Sequence, residues 1–364
     1  MRFVFGVACS LPLWVACAAS AADLPSGGVA YVTNQGDGVS VIDLATLKIK
    51  RSIEVGKDPR GLGITPDGRY LVTANQGDAD VSVVDTATGK TAYRIPIGKN
   101  AEFVRVGPEG RFAYVTYEPS SSGKPPGKDA DKSGKPAPGG GEEEAVAAEI
   151  AVIDLSKFEV SSRLPASLET EGMDFSPNGR ELIVANEGDD TVVVYDLIRG
   201  HATSGRAIKR IDVSRFGKRP RGVRVSPDGS RVVVTLESSD NFLVLDSQYN
   251  VLKAIPTGKG PYGVAFEPGG ATLWIAAARS NQIEVLDAKT FAPVASIPVG
   301  KRCWHFSFTP DGKRALAACG RSDALTVIDV TTRQPVSTLT GFNQPWGIVT
   351  YPKASGSLDT PPPY

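Results

Sequence analysis

Histidine, cysteine and methionine are scarce in this sequence, and the scarcity excludes several kinds of site. Only two histidines occur among 364 residues, His201 and His305. His201 falls in a loop-like segment rich in glycine and serine, which leaves His305 without a second histidine. Zinc, copper and haem sites usually need clustered histidine or cysteine ligands. We therefore expect neither a metal site nor a bound cofactor.

The chain also has no net charge. Forty lysines and arginines balance forty aspartates and glutamates. A balanced chain has no general attraction for nucleic acid or for an anionic membrane surface. We expect no nucleic-acid partner.

The chain has no hydrophobic run long enough to span a bilayer. The longest apolar stretch, Phe3–Ala16, is too short for a transmembrane helix, and small residues follow it at Ala18–Ala22. This pattern predicts a signal peptide over residues 1–22 and export to the periplasm. A lipid anchor at Cys17 is the alternative, because the residues before it are a poor version of a lipoprotein box.

Four cysteines are present, and two of them, Cys9 and Cys17, lie in the signal region. Cys303 and Cys319 remain, an even pair that suits an oxidising compartment. A hairpin that turns at residues 310–312 would place them directly opposite each other, at the wider of the two antiparallel spacings. A disulfide and two free thiols both remain open.

One motif recurs seven times: an apolar pair of residues followed by aspartate. The seven aspartates are Asp43, Asp85, Asp154, Asp196, Asp246, Asp287 and Asp329, and the intervals between them are 42, 69, 42, 50, 41 and 42 residues. Turns such as Pro66-Asp67-Gly68 separate the strands of each copy, and we expect each to close a three-residue hairpin.

Four antiparallel strands in each of seven copies predict a seven-bladed all-β propeller. A β-solenoid has shorter repeats. The chain starts with a second strand, so we expect residues 344–349 to supply the missing first strand and close the ring. The predicted organisation is a signal peptide over 1–22, a propeller over 23–353 and a flexible tail over 354–364. A Pro-, Gly- and Ser-rich insertion over 118–148 is expected to be disordered.

The segment Tyr31–Asn34 reads YVTN and resembles the signature of the YVTN-repeat β-propellers. The stretches 303–312 and 345–347 are similar to one branch of that family, the periplasmic propellers associated with pyrroloquinoline-quinone-dependent alcohol catabolism. The resemblance covers the mature chain apart from the insertion. It implies an accessory protein of a quinoprotein-dependent oxidation or uptake system, with a quinoprotein dehydrogenase or a transport component as partner.

The residue at the start of each first strand differs from copy to copy. Because first strands are innermost in a propeller, seven such residues, here called the first-strand ring, are expected at one mouth of the central channel: Arg60, Glu102, Glu171, Arg221, Tyr262, Trp304 and Trp346. Together with His305 they form the predicted site for a protein partner or a small ligand, since arginine binds carboxylate and aromatic rings stack. Alternatively, Arg60 and Arg221 pair with Glu102 and Glu171 for structural reasons alone.

Two function classes follow. The sequence favours a monomeric binding or accessory protein that is not an enzyme. The alternative is a lactonase- or lyase-like enzyme in which Glu102, Glu171 and His305 supply acid–base chemistry. Strongly shifted pKa values at the ring would favour the enzyme. The insertion should overhang the same mouth, either as a charged lid or as a tolerated loop without a role.

Overall fold

A computed structural model of the chain describes residues 27–36, 38–119, 147–197 and 205–359. The predicted signal peptide, residues 120–146 of the predicted insertion, His201 and residues 360–364 lie outside these ranges.

The described residues form seven four-stranded antiparallel sheets, which confirms the predicted seven-bladed propeller. First strands of neighbouring sheets contact one another around the central channel. The N-terminal blade contains β28 (Pro345–Tyr351), β1 (Val29–Asn34), β2 (Val39–Asp43) and β3 (Lys48–Ile53). The second blade contains β4 (Pro59–Ile64), β5 (Tyr70–Asn75), β6 (Asp80–Asp85) and β7 (Lys90–Pro96). The third contains β8 (Ala101–Val106), β9 (Phe112–Tyr117), β10 (Glu149–Asp154) and β11 (Glu159–Pro165). The fourth contains β12 (Thr170–Phe175), β13 (Glu181–Asn186), β14 (Thr191–Leu197) and β15 (Gly205–Asp212). The fifth blade contains β16 (Pro220–Val225), β17 (Arg231–Leu236), β18 (Asn241–Asp246) and β19 (Val251–Pro256). The sixth contains β20 (Pro261–Phe266), β21 (Thr272–Ala277), β22 (Gln282–Asp287) and β23 (Pro293–Pro298). The seventh contains β24 (Cys303–Phe308), β25 (Arg314–Cys319), β26 (Ala324–Asp329) and β27 (Gln334–Thr340).

The two ends of the chain share one blade, as predicted. Strand β28 pairs with β1, with Ala30 opposite Thr350 and Val32 opposite Ile348. This pairing closes the ring of blades, while each four-stranded sheet keeps its own edge strands, such as the outer strand β3. Apart from two short 3₁₀ turns, Glu237–Ser239 and Gly320–Ser322, the described residues contain no helix, and none could cross a membrane.

Burial falls from the channel outwards. The middle strands β5 and β6 are buried over nearly their whole length, because both faces of a blade pack against neighbouring blades. The outer strand β3 is exposed at every residue except Ile53. This gradient explains why second and third strands have apolar residues on both faces, while fourth strands contain many charges.

The turns between first and second strands hold one residue more than predicted. The Thr65 N–H donates to the carbonyl of Tyr70 at 2.9 Å, so four residues, not three, lie between them. Asp67 stabilises the loop by accepting hydrogen bonds from the Thr65 hydroxyl at 2.6 Å and the Arg69 N–H at 3.0 Å. Gly68 adopts a φ of 72°, which a residue with a side chain rarely tolerates.

In six of the seven blades, the repeated aspartate at the end of the third strand stabilises the next turn; in the remaining blade the residues after Leu197 lie outside the described ranges. Asp43 Oδ1 accepts the N–H groups of Ala45 at 2.9 Å and Thr46 at 3.0 Å. These bonds favour the ionised form and hold the Asp43 pKa below its usual range. The motif that revealed the repeat is therefore a turn motif, not a catalytic one.

Cys303 and Cys319 lie opposite each other in β24 and β25, as predicted. They form a disulfide, which the sequence left open. Two differences from the expected hairpin offset each other. The turn is one residue longer than assumed, and a bulge at Trp304 shifts the register back. Their Cα atoms lie 3.7 Å apart, so the expected wider spacing is wrong.

The C-terminal segment is not a flexible tail where the structure describes it. Residues 354–359 enter the central channel, and Leu358 is fully buried there. The Ser357 N–H donates to Phe306 O at 2.8 Å, and the Phe308 N–H donates to Ser355 O at 2.8 Å. The prediction failed because it read the polar, proline-rich end as solvent-exposed, whereas the channel offers unpaired backbone groups and buried arginines that bind this segment.

The edges of the predicted insertion also belong to the fold. Glu118 is 5% exposed and Ala148 is 1% exposed. The Ala148 N–H donates to Ser167 O at 2.7 Å, which extends the pairing of β10 with β11. The segment predicted to be disordered, 118–148, was therefore too long at both ends.

Candidate functional site

A β-bulge displaces the residue of the first-strand ring in every blade. In β4, Pro59 is opposite Asn75 while Leu62 is opposite Thr73, so one extra residue lies between them. The same shift occurs near the start of the other six first strands. Bulges redirect side chains and are frequent beside active sites. Here they set the ring side chains at one opening of the channel, called the ring mouth below.

A second ring, which the sequence analysis missed, lies against the first. It consists of the residue after each second strand and is called the second-strand ring: Gln35, Gln76, Glu118, Glu187, Glu237, Ala278 and Gly320. Each N–H donates, at 2.7–3.2 Å, to the carbonyl of the residue two positions before the first-strand ring residue. That residue has a positive φ in all seven blades, for example 50° at Asp58. The backbone thus holds the two rings in fixed register.

Arg221 is the centre of one charged cluster at the ring mouth. Its guanidinium pairs with Glu171, with Glu187 Oε2 at 2.5 Å and with Glu237 Oε2 at 2.8 Å. Arg279 Nη2 adds a more exposed contact to Glu237 Oε1 at 3.1 Å. Burial alone would raise the pKa of Glu237, but Arg221 and the neighbouring arginines lower it below its ordinary value.

Arg60 begins a second cluster that ends at Glu118. Arg60 pairs with Glu102, and Gln76 Nε2 donates to Glu102 Oε1 at 2.8 Å. Gln76 also bonds Asn100, whose Nδ2 donates to Glu118 Oε2 at 3.3 Å. A chain of hydrogen bonds therefore links a cation to a buried carboxyl group across two blades.

Glu118 is the carboxyl with the most unusual environment. Burial raises its pKa well above the ordinary value, and Glu102 and Glu169 raise it further. Arg221 and Arg60 offset this only in part. Within the described ranges, Glu118 Oε1 is buried and accepts no hydrogen bond. Such an oxygen is ready to accept a proton or to bind a water molecule or a substrate hydroxyl.

Aromatic rings occupy the other side of the ring mouth. The Tyr262 ring lies 4.9 Å from the guanidinium of Arg221 and 6.4 Å from the ring of Trp346. His305 lies beneath them, 5.3 Å from Tyr262 and 4.4 Å from Trp346. Burial and the positive charges of Arg224 and Arg105 lower the pKa of His305 well below its ordinary value. His305 is therefore neutral at physiological pH, and its Nδ1 lies 3.0 Å from Ser357 Oγ.

Trp304 differs from the other aromatic members of the ring. It is half-buried and covers Gly320, where a Cβ atom would collide with its ring. The disulfide between the preceding residues, Cys303 and Cys319, fixes this part of both rings. Trp304 thus closes one side of the mouth and leaves part of its face exposed.

The structure therefore brings together the predicted residues Arg60, Glu102, Glu171, Arg221, Tyr262, Trp346 and His305, with Trp304 at the edge. Their role in binding stays a prediction. Glu118, Glu187 and Glu237 were missed, although comparing the residue after each second strand would have revealed a position that varies in the same way. No described residues form a group of three or more acidic, histidine or cysteine side chains that could hold a metal ion.

A comparison with protein families gives one match. Residues 145–250 match the family model described as lactonase, 7-bladed beta-propeller. The matched stretch contains Glu171, Glu187, Arg221 and Glu237, the whole of the Arg221 cluster except Arg279. No curated protein sequence matches the chain.

Solved structures with the same fold are distant in sequence. The periplasmic gluconolactonase of Pseudomonas aeruginosa is 20% identical with a TM-score of 0.67, and the match covers 89% of this chain and 98% of that one. A candidate 6-phosphogluconolactonase from Bacteroides uniformis is 14% identical with a TM-score of 0.70, covering 89% and 99%. Hydrazine synthase of Kuenenia stuttgartiensis is 21% identical with a TM-score of 0.67, covering 84% and 94%. At these identities the likeness shows the fold alone.

The lactonase match overturns the prediction of a binding or accessory protein that is not an enzyme. That prediction rested on the absence of a catalytic set among the first-strand residues, and it overlooked the second-strand ring with Glu118. The association with pyrroloquinoline-quinone-dependent catabolism stays a prediction. The chain is a seven-bladed β-propeller, and its residues 145–250 match a lactonase family.

Proposed function

We propose that this chain is a lactonase-type hydrolase whose active site is the ring mouth. The observation that carries the proposal is the lactonase match over residues 145–250, which includes most of the Arg221 cluster. The reaction adds water to a cyclic ester and releases a hydroxy acid. It needs a group that moves a proton and a cation that stabilises the oxyanion intermediate.

Glu118 suits the proton transfer. A carboxyl group works best as an acid–base catalyst when its pKa is raised towards the working pH, as burial and neighbouring carboxylates do here. Its ionised form takes a proton from the attacking water as the new C–O bond forms. The resulting carboxylic acid then gives that proton to the ring oxygen as the lactone C–O bond breaks. The proton count closes, and no further reactant is needed.

Arg60 and Arg221 suit the oxyanion. Their side chains are 13% and 12% exposed, so each lies at the edge of the solvent with its charge little screened. Burial lowers the pKa of Arg60, but Glu102 more than offsets this, so the Arg60 pKa is raised and the cation persists. Tyr262 and Trp346 are buried beneath the mouth, so the half-buried ring of Trp304 is the aromatic surface that a lactone ring could contact.

Two observations support work outside the cytoplasm. The N-terminal segment has the pattern of a signal peptide, and the Cys303–Cys319 disulfide requires an oxidising compartment to persist. We propose a periplasmic location, which fractionation of cells that produce the full chain would test.

The activity is tested by titrating the acid released from five- and six-membered aldonolactones at constant pH, with spontaneous hydrolysis subtracted. Wild-type protein should hydrolyse at least one of them, and Glu118→Gln should be slower by about 10²–10⁴-fold. Glu109→Gln is the matched control, because Glu109 is exposed in a turn away from the ring mouth. Equal rates for wild type and Glu118→Gln would contradict the assignment, and no hydrolysis of any lactone would contradict the proposed function.

A further inference from the structure

The opposite opening of the channel, called the turn mouth below, contains a cavity of about 610 Å³. It lies where the first strands end, among the turns that follow them. Five prolines from these turns line it: Pro108, Pro177, Pro227, Pro268 and Pro310. Pro227 and Pro268 are exposed, so the cavity is open to solvent on that side. The proposed lactonase activity does not use any of these residues.

The floor of the cavity contains buried charges. Arg105 and Arg224 are 2% and 1% exposed, and both lie beside Asp174, with Arg224 Nη1 3.2 Å from Asp174 Oδ2. Lys353 Nζ pairs with Asp359 Oδ1 at 2.9 Å, and both of these side chains are also buried. Among the described residues, three cations therefore face two carboxylates, which leaves one positive charge in excess.

Much of the hydrogen bonding of these arginines is to backbone carbonyls. Arg105 donates to Met173 O at 2.8 Å and to Leu358 O. Arg224 donates to Val264 O at 3.3 Å and to Gly356 O at 2.5 Å. Carbonyl groups satisfy the donors but do not neutralise the charge. Within the described part of the chain, Arg224 Nη1 has no hydrogen bond of good geometry.

Other groups near the cavity, within the ranges that the structure describes, do not remove the excess charge. Burial and Arg224 lower the pKa of Arg105 to about 10, so Arg105 still carries its proton at neutral pH. His305, whose pKa Arg224 and Arg105 help to lower, is neutral at this pH and adds no charge. Glu267 also lines the cavity, but it is half-exposed and lies nearer the solvent, where water screens its charge.

The walls of the cavity are mostly apolar, with Ser176, Ser226, Ser355 and Glu267 as polar exceptions. Besides the turn prolines they include Val106, Phe175, Val225, Phe266 and Ala354. A cavity with a single buried positive charge at its floor and apolar walls fits a molecule with one negative group and an apolar body. Inorganic sulfate or phosphate would fill only a small part of this volume and would leave the walls without contacts.

We infer that the turn mouth is a second binding site, separate from the ring mouth, for a small organic monocarboxylate with an apolar body. Its carboxylate lies towards Arg224 and Arg105, and its body contacts the proline and phenylalanine walls. The C-terminal segment completes the site, because Lys353, Ala354, Ser355 and Asp359 line it.

The test is isothermal titration calorimetry of the purified full chain with sodium benzoate. Val225→Phe fills the cavity, and the fold should accept it because Phe175, Phe266 and Phe308 occupy the equivalent position in three other blades. Val336→Phe, on an outer strand where Val336 is 54% exposed, is the matched control. Ala354→Leu is a second cavity-filling variant for use if Val225→Phe does not fold.

Benzoate should bind wild type and Val336→Phe alike, and Val225→Phe at least tenfold more weakly. Benzamide, which lacks the charge, should also bind at least tenfold more weakly than benzoate. Sulfate binding as tight as benzoate binding would overturn the role of the apolar walls. An unchanged affinity of Val225→Phe for benzoate would overturn the location at the turn mouth. A loss of benzoate affinity in Trp346→Ala instead would overturn it as well. None of these outcomes depends on whether the ring mouth hydrolyses lactones.

Discussion

The two mouths of the channel are built from the two ends of the same seven first strands, yet they differ in design. At the ring mouth the seven blades supply different side chains, and charges pair with charges, as Arg221 does with Glu171, Glu187 and Glu237. At the turn mouth several blades supply near copies of one proline-containing turn. The charges there lie deeper, and Arg105 and Arg224 are satisfied largely by carbonyl groups.

The difference shows where a repeat fold leaves room for function. The turn is needed to reverse the chain in the six blades whose first and second strands are consecutive, so its residues vary little among the copies. The ring positions lie in bulges at the start of first strands, and no blade needs a particular side chain there. The ring mouth contains two carboxyl groups, Glu118 and Glu237, whose pKa values are displaced in opposite directions. The pKa of Glu118 is raised and that of Glu237 is lowered.

The largest expected effect comes from removing the segment that fills the channel. Deleting residues 353–364 takes away Gly356 O and Leu358 O, which accept hydrogen bonds from Arg224 and Arg105. A hydrogen bond to a charged group is worth about 1.5–3 kcal/mol, so losing those of two buried arginines together with the burial of Leu358 approaches the stability of a marginal domain. Thermal unfolding should show a largely unfolded protein. Deleting only 360–364 is the control, and equal melting temperatures for both deletions would contradict a structural role of the segment.

At the ring mouth, Arg221→Met should lower the free energy of unfolding by about 3–5 kcal/mol, because three buried glutamates lose their shared cation. Arg279→Met should cost less than about 1 kcal/mol, because Arg279 is 38% exposed and its contact is screened by solvent. Urea titration of both variants checks the contrast. Similar losses for the two would show that the Arg221 cluster is not the centre of this mouth.

The disulfide is expected to contribute less than the buried charges. It closes a loop with a sequence separation of 16, and a loop of that length is worth about 3 kcal/mol. Replacing both Cys303 and Cys319 by alanine should lower the melting temperature, and a reducing agent should then have no further effect. A melting temperature unchanged by the double replacement would show that the bond does not stabilise the blade.

The smallest effect concerns the pH dependence of stability. A carboxyl group whose pKa rises on folding contributes stability below its unfolded pKa and loses it as the pH rises through the folded value. Near about pH 4, Glu118→Gln should therefore have the same melting temperature as wild type. Near about pH 8, the melting temperature of Glu118→Gln should be higher than that of wild type, by roughly 2–4 °C for each kcal/mol of stability gained. Glu109→Gln should show no such trend. A difference that shrinks with rising pH would contradict the raised pKa of Glu118.

The sequence predicted the architecture well because the signal was repeated seven times. The aspartate near the end of the third strand and the turn after most first strands recur in nearly constant spacing, so the interruption of one copy at 118–148 did not obscure the repeat. The closure by residues 344–349 followed from the phase of the repeat. The Cys303–Cys319 pairing was also correct, although the turn length and the Trp304 bulge, neither visible in the sequence, had to offset each other.

The site was harder to predict because it depends on features without a repeat. Glu118 lies at the edge of a low-complexity stretch, and its backbone pairing with Asn100 is visible only in the structure. The buried position of Leu358 depends on Arg105, which is 253 residues away in the chain. Such distant pairings leave no local pattern, so a polar end and a proline-rich stretch were taken for a loose tail.

The proposed lactone hydrolysis depends most directly on Glu118 as the group that moves the proton, and the pH dependence of kcat/KM for this reaction tests that role. In wild type, kcat/KM should fall as the pH drops below the raised pKa of Glu118, because the ionised form is needed to accept a proton from water. In Glu118→Gln, kcat/KM should be about 10²–10⁴-fold lower and should lack this fall. A profile of the same shape and height in both proteins would contradict the account.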